Sequence, residues 1–425
     1  QTFQKLNGVK LQHLDYALDL EEGLKWLNLV TKSFKTLRKI TLTTYNTSSK
    51  INFKDFNNNL KNLVNLQSME FNLTNGYLKD TLYTLSGVQN LEKLKLELNS
   101  EQLEFVVNSL SKLKRLRKLS LVINYPEVDN GNYEVEFYPP TDLLIDGNRL
   151  DTLNITSIYN DREHYWNEVS SPLSLQGALI DTFNNINFHK LKSFNWNFSL
   201  QCGDLLNQIF TSPIDLIAQQ FSNLTSLNLP AIDCYLLSLV IQKFPNLRQL
   251  GFDSALPVPH ESSDVELKPM KYLSKLKFRG FYNNLKNHTD LIHRLFPSLT
   301  TLILLDYEEI SNEISTNAYF IPLLFPFLNA AIFPSTTYKF YDIDNLGERI
   351  KWQTLYLELN HDNSYILDFV IRKVQSIREL YLTSGDLDLG RVELSDKRAG
   401  LRVFKGDYID TDGLSVGFVV DRELC

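Results

Sequence analysis

The sequence predicts an α/β solenoid, a curved horseshoe with a parallel sheet on its concave face, helices on its convex face and about 14 irregular repeats. The first observation behind this is a repeat: LEKLKLELN (Leu91 to Asn99) returns as LRKLSLVIN (Leu116 to Asn124), 116 − 91 = 25 residues later, both in the form L-x-x-L-x-L-x-x-N. The second is a period of two inside each copy. Side chains alternate across a strand, so Leu94, Leu96 and Leu98 share a core face while Lys93, Lys95 and Glu97 point the other way. The third is a change of period between copies. Leu103, Val106, Val107, Leu110 and Leu113 follow the spacing of an amphipathic helix, with Ser100 and Glu101 suited to its first turn. Neither element can bury its apolar face alone, so neighbouring copies must stack. A helix is wider than the ~4.8 Å strand spacing, so the stack curves with the sheet inside.

With the first Leu of the motif as register mark, a weak copy, LNGVKL, stands at Leu6, followed by LRKITL at Leu37 and LQSMEF at Leu66. The steps from Leu37 to Leu116 are 29, 25 and 25 residues. No polar capping unit precedes Leu6, and an open solenoid end exposes core, so further chain is expected upstream of Gln1. After Asn124 the rhythm breaks: residues 125–148, with turn formers, an acidic bias and a Pro-Pro pair, read as an insertion loop. LDTLNI resumes at Leu150, a second polar insertion covers 159–172, and LKSFNW follows at Leu191. Copies at Leu224, Leu247, Leu273 and Leu299 are then spaced by 23, 26 and 26 residues, with a third insertion near 253–269. Phe-Pro pairs at Phe244 and Phe296 stand just before the strands, where Pro ends the preceding helix. A third pair at Phe325 flags a degenerate copy at Leu328, and copies at Trp352, Ile377 and Leu401 close the series. Helices are predicted over Asp233 to Phe244 and Asn363 to Val374. Residues 1–425 are expected to form a single solenoid domain, because each unit of such a fold contacts only its neighbours.

The composition, 43% apolar and 22% charged, is that of a folded globular chain. A net charge of −7 argues against a nucleic-acid binder that relies on phosphate neutralisation, and favours a protein partner. Three widely spaced cysteines, Cys202, Cys234 and Cys425, fit a reducing compartment, so the cytoplasm or nucleus is expected. Six N-x-S/T sequons are no more than a chain so rich in Asn, Ser and Thr carries by chance. The longest apolar run, Tyr319 to Phe333, is broken by Pro322, Pro326 and Asn329 and reads as repeat core, not as a membrane span.

No phosphate-binding loop, dinucleotide fingerprint, nucleophile elbow or zinc-protease motif occurs, and His288 and His293 are too far from eclipsed on a helix to share a metal. No catalytic residue, metal site or cofactor is therefore expected. The register maps the surface opposite the core instead. Its central column runs Thr41, Glu70, Lys95, Ser120, Asn154, Asn195, Asn228, Gly251, Lys277, Ile303, Ile332, Tyr356, Tyr381 and Lys405. Two stretches stand out as partner-binding candidates. Lys275, Lys277 and Arg279, with Lys271 leading in, form a positive ridge suited to an acidic or phosphorylated peptide. Ile303, Leu305, Ile332, Tyr356 and Tyr381 put apolar residues where a solvated strand should be polar. Another basic cluster, Lys112, Lys114, Arg115, Arg117 and Lys118, stands beside Glu92 and Glu97 and reads as plain surface.

Across nearly the whole chain these copies resemble leucine-rich repeats, and the irregular repeat length, few cysteines and expected upstream segment resemble the repeat region of yeast F-box/leucine-rich-repeat proteins. No F-box itself is evident. The resemblance implies a non-enzymatic substrate-recognition part of a cullin-type ubiquitin ligase, with the ligase adaptor held through a missing N-terminal segment. The same fold also serves as scaffold, receptor, pathogen effector or GTPase regulator, so fold alone does not choose among these.

Overall fold

Each coil enters its strand through buried residues spaced by three. Leu60, Leu63, Leu66 and Met69, then Leu85, Val88, Leu91 and Leu94, then Leu110, Leu113, Leu116 and Leu119 are all core. The spacing follows from tight turns in which an N–H bonds the carbonyl three residues back, as from Leu63 to Leu60 and Leu66 to Leu63, both at 3.0 Å. Past the fourth core residue the period falls to two and the strand begins.

The computed structural model describes residues 10–18, 21–44, 54–72, 88–99, 113–125, 149–159, 190–198, 223–229, 232–254, 267–279, 291–305, 328–333, 351–359, 374–384, 401–410 and 417–424, with positions 85, 110, 218, 221, 256, 257, 367, 371 and 372 beside them. The chain forms two compact units, Gln1–Leu224 and Thr225–Cys425. The first holds β1 (His13–Leu18), β2 (Lys39–Thr44), β3 (Ser68–Asn72), β4 (Lys93–Asn99), β5 (Lys118–Tyr125), β6 (Thr152–Tyr159) and β7 (Ser193–Phe198), each parallel to the next. The second holds β8 (Ser226–Leu229), β9 (Gln249–Phe252), β10 (Lys275–Arg279), β11 (Thr301–Leu305), β12 (Ala330–Phe333), β13 (Thr354–Leu359), β14 (Glu379–Ser384) and β15 (Arg402–Asp410), again parallel in sequence order. One further strand, β16 (Gly417–Leu424), pairs antiparallel with β15.

Strands β2 to β14 start where the copies from Leu37 to Ile377 place them. Two copies shift. At the N-terminus Leu14 pairs with Ile40, so the first coil is marked by Leu11 and not by Leu6. That makes the step to Leu37 26 residues, in line with the others. At the other end Val403 pairs with Leu380 and is buried, so β15 runs one residue earlier in register than a copy counted from Leu401. Leu401 and Phe404 are three apart and mimic the motif, but the pairing with β14 decides. The antiparallel β16 has no copy in the repeat series.

Among the described residues, helices are seen as α1 (Glu21–Ser33), α2 (Lys54–Leu60) and α3 (Cys234–Lys243), with a helical turn at 291–295. The capping of α3 is readable. Asp233 accepts the Leu236 N–H at 2.6 Å, Leu236, Leu237, Val240 and Ile241 face the core, and Phe244 closes the helix on the Val240 carbonyl before Pro245. Over Asn363 to Val374 the described positions Leu367, Ile371 and Val374 are buried at helical spacing. The helix predicted after Asn99 and the three insertion loops lie largely outside the described residues.

At the strand exits the closing Asn of the motif laces one coil to the next. Asn99 and Asn124 are register partners, and Asn124 donates to Glu97 Oε1 at 3.2 Å. A second lacing runs through the turns. Asn65 and Asn90, each one residue before the first Leu, donate to the Lys35 and Val64 carbonyls of the preceding coil at 3.0 and 2.6 Å. Arg149 occupies the same position and donates to the Lys114 carbonyl at 2.7 Å. Replacing Asn90→Ala removes one such bond at an exposed site, so urea unfolding should show a loss of about 0.5–1 kcal/mol.

Candidate functional site

Backbone pairing turns the residues opposite the leucine core into rows. In the first unit the central row is Asp15, Thr41, Glu70, Lys95, Ser120, Asn154 and Asn195. It is polar throughout, and Lys95 Nζ lies 2.7 Å from Glu70 Oε1. In the second unit the row runs Asn228, Gly251, Lys277, Ile303, Ile332, Tyr356, Tyr381 and Phe404. The degenerate copy at Leu328 keeps register, since Ile332 pairs with Tyr356. Phe404, not Lys405, ends the row, a consequence of the shifted β15.

The opening part of this second row is covered. Asn228 and Ile303 are 0% exposed and Lys277 3%. Lys277 is therefore not the exposed crest of a positive ridge. Gly251, its neighbour across β9, has no side chain to oppose it, and its ammonium lies 3.5 Å from the Asp253 carboxylate. Lys275 is half-buried, and burial, helped by the charge of Lys277, pulls its amine below the usual lysine range. Alternation places these residues away from the leucine core, but it carries no information on what else packs on that face. Arg279, Leu305 and Ile332 lie on β10, β11 and β12, with side chains outside the described residues.

The end of the row is different. Tyr356, Tyr381 and Phe404 are half-exposed and stacked: the tyrosine rings are 4.3 Å apart at 5°, and Tyr381 and Phe404 4.6 Å apart at 13°. Parallel in-register strands repeat at ~4.8 Å, within the centroid separation of offset-stacked aromatic rings, so aromatic residues of one row stack face to face. The preceding row supplies charge. Glu379 and Arg402 are register partners and form an ion pair, Tyr381 Oη donates weakly to Glu379 Oε2 at 3.5 Å, and the Arg402 guanidinium sits 6.0 Å from the Phe404 ring centre. The ring faces are thus largely occupied by one another, and edges and hydroxyls are what a partner would meet.

Burial, then the neighbouring Tyr381 and Glu379, push the Tyr356 phenol from 10.0 up to about 12. Tyr381 is raised as well, by burial first and Glu379 second. A phenol whose folded value lies above its unfolded one stabilises the fold below the unfolded value and loses that contribution as pH rises through the folded one. Stability should accordingly fall between about pH 10 and 12, and the ultraviolet phenolate band of Tyr356 should appear only near pH 12. Its loss in Tyr356→Phe identifies the group.

Phe404, Glu379 and Arg402 escape a reading by motif. The signal that could have found Phe404 is the aromatic character of the row, which continues into β15 only if that strand is counted one residue earlier. Among the described residues no three His, Cys, Asp or Glu side chains gather as a metal site requires, and no helix is long and apolar enough to cross a membrane.

No family model matches the sequence, and no curated protein matches it. Among solved structures the chain is similar to one in the crystal structure of the Rad7 and Elc1 complex in yeast, with 17% identity over 91% of this chain and 83% of that one and a TM-score of 0.43. It is also similar to the internalin InlF of Listeria monocytogenes, with 12% identity over 86% and 88% of the two chains and a TM-score of 0.32. The class of protein rests on the chain's own geometry. A buried three-residue ladder, a short parallel strand and a return segment, coil after coil, are leucine-rich repeats.

Proposed function

We propose that this chain is a protein-binding repeat module that holds its partner on the outward face of β13 to β15, through Tyr356, Tyr381 and Phe404. One observation carries the reading: three half-exposed aromatic rings stack on a face whose counterpart in the first unit is polar throughout. Aromatic side chains on a rigid strand offer large contact area at little cost in conformational entropy, and they are frequent anchors of protein interfaces. Ile332 precedes Tyr356 in the row and Leu305 stands two positions along β11, whereas Ile303 and Lys277 are covered and leave only Lys275 and Arg279 of the basic strand to flank this face. The work is binding rather than catalysis.

For the cellular role we favour substrate recognition in a cullin-type ubiquitin ligase of the cytoplasm or nucleus, with the adaptor held by a segment outside this chain. The resemblance of the repeats to those of yeast F-box/leucine-rich-repeat proteins supports it. Affinity purification of the full-length protein beside its Tyr356→Ala/Tyr381→Ala variant tests both levels. Recovery of a cullin and its adaptor, with a further partner lost in the variant, is the expected result. A stable partner without cullin sinks the ligase reading, and a partner retained by the variant sinks the aromatic row.

A further inference from the structure

A second surface lies in the first unit, where the turns lead into the strands. The backbone aligns these turns closely. The Glu92 carbonyl accepts the N–H groups of Arg117 and Lys118 at 2.8 and 3.0 Å, and the Arg117 carbonyl accepts those of Asp151 and Thr152 at 2.8 and 3.1 Å. Arg149 is tied to the Lys114 carbonyl of the coil before it. Three coils thereby bring Lys93, Lys114, Arg115, Arg117, Lys118 and Arg149 to one edge, all exposed.

Among the described residues, two carboxylates accompany these six cations at the strand entries, Glu92 and Asp151, both half-buried. Asp151 is taken by Arg117 at 3.1 Å. Glu97, which stands beside the cluster in the sequence, lies further along β4 and accepts from Asn124. Lys93, Lys114, Arg115 and Lys118 have no ion-pair partner among the described residues. Lys93 and Lys118 are moreover direct register partners, and like charges directly opposite each other on adjacent strands destabilise a sheet. The edge thus presents concentrated positive charge that an anionic ligand would complement.

We propose that this strand-entry edge of β4 to β6 docks an acidic, extended peptide segment of a partner protein. Three coils at ~4.8 Å spacing span roughly 10 Å, the length of three or four residues of extended chain. A nucleic acid fits less well: the charge of a duplex continues past the patch across a chain of net charge −7, and among the described residues no aromatic ring stands with the six cations to stack the bases of a single strand. An anionic bilayer meets the same objection of size. The site is in the first unit and stands independently of the aromatic row.

The test is fluorescence anisotropy of a labelled peptide of alternating Glu and Asp, titrated with the full chain. Binding should weaken by about tenfold or more when salt is raised from low ionic strength to about 0.5 M. It should weaken by a similar factor in Lys93→Glu/Arg115→Glu/Lys118→Glu, with the circular dichroism spectrum unchanged. Because the charge-reversed variant could fold poorly, Lys118→Gln serves as a second reading: it should weaken the peptide while raising the melting temperature slightly, as the repulsion from Lys93 is removed. Absence of peptide binding overturns the proposal. So do equal binding by the variants and tighter binding of random duplex DNA or phosphatidylserine vesicles than of the peptide.

Discussion

Trp352→Ala should cost the second unit about 3–5 kcal/mol, the range for truncating a fully buried large aromatic. Trp352 is 1% exposed and takes the place that Leu273 and Leu299 fill in earlier coils, at the entry to its strand. Removing it opens a cavity between the turn and β13. A repeat fold transmits such damage to the adjoining coils. Urea unfolding followed by hydrogen exchange should therefore show amides of β12 to β14 losing protection while β2 to β5 keep theirs. Trp352→Leu should cost less than half as much, because Leu suits this position elsewhere in the chain. An Ala penalty below about 1.5 kcal/mol would mean that the site collapses around the deletion, and that the coil is not packed as described.

The second large effect is functional. Tyr356→Ala/Tyr381→Ala should abolish partner capture and lower stability by only about 1–2 kcal/mol, since the rings are half-exposed and each stacked pair contributes about 0.5–1.5 kcal/mol beyond burial. Tyr381 is the middle ring and loses two stacked faces, so it should account for the greater share. Tyr381→Phe separates the contributions. It keeps the stack and removes the hydroxyl that Glu379 accepts from, so stability should barely change. If capture is lost in Tyr381→Phe, the hydroxyl row is what the partner reads; if capture survives there and fails in the double Ala variant, ring area is. A loss of 4 kcal/mol or more in the double variant, well beyond the ~1–2 kcal/mol expected for exposed stacks, would make these rings core instead of surface.

Much of the fold is legible before any coordinates. The copies from Leu37 to Ile377 give the start of every strand from β2 to β14, because a misplaced register would turn an entire Leu set to the wrong face. The Phe-Pro pairs also mark helix ends correctly, at Phe244 and Phe296. The ends of the series were not legible. A terminal copy has a neighbour on one side only, so weak spacing such as Leu6 to Leu11, or Leu401 to Phe404, is not checked by a second strand until the pairing is seen. The candidate site divides in the same way. Tyr356 and Tyr381 follow from the count, whereas Phe404, Glu379 and Arg402 follow from the shifted β15.

By itself, then, the sequence determined the leucine-rich-repeat fold and, from Leu37 to Ile377, which residues pack behind the strands and which share a row, because period and register are local properties of spacing. Only the tertiary structure decided what that surface presents. It buries Lys277 against Asp253, stacks Tyr356, Tyr381 and Phe404, and gathers Lys93, Lys118 and Arg149 from separate coils onto one edge. Burial, stacking and charge density depend on neighbours that are some 25 residues away along the chain and one strand away in space.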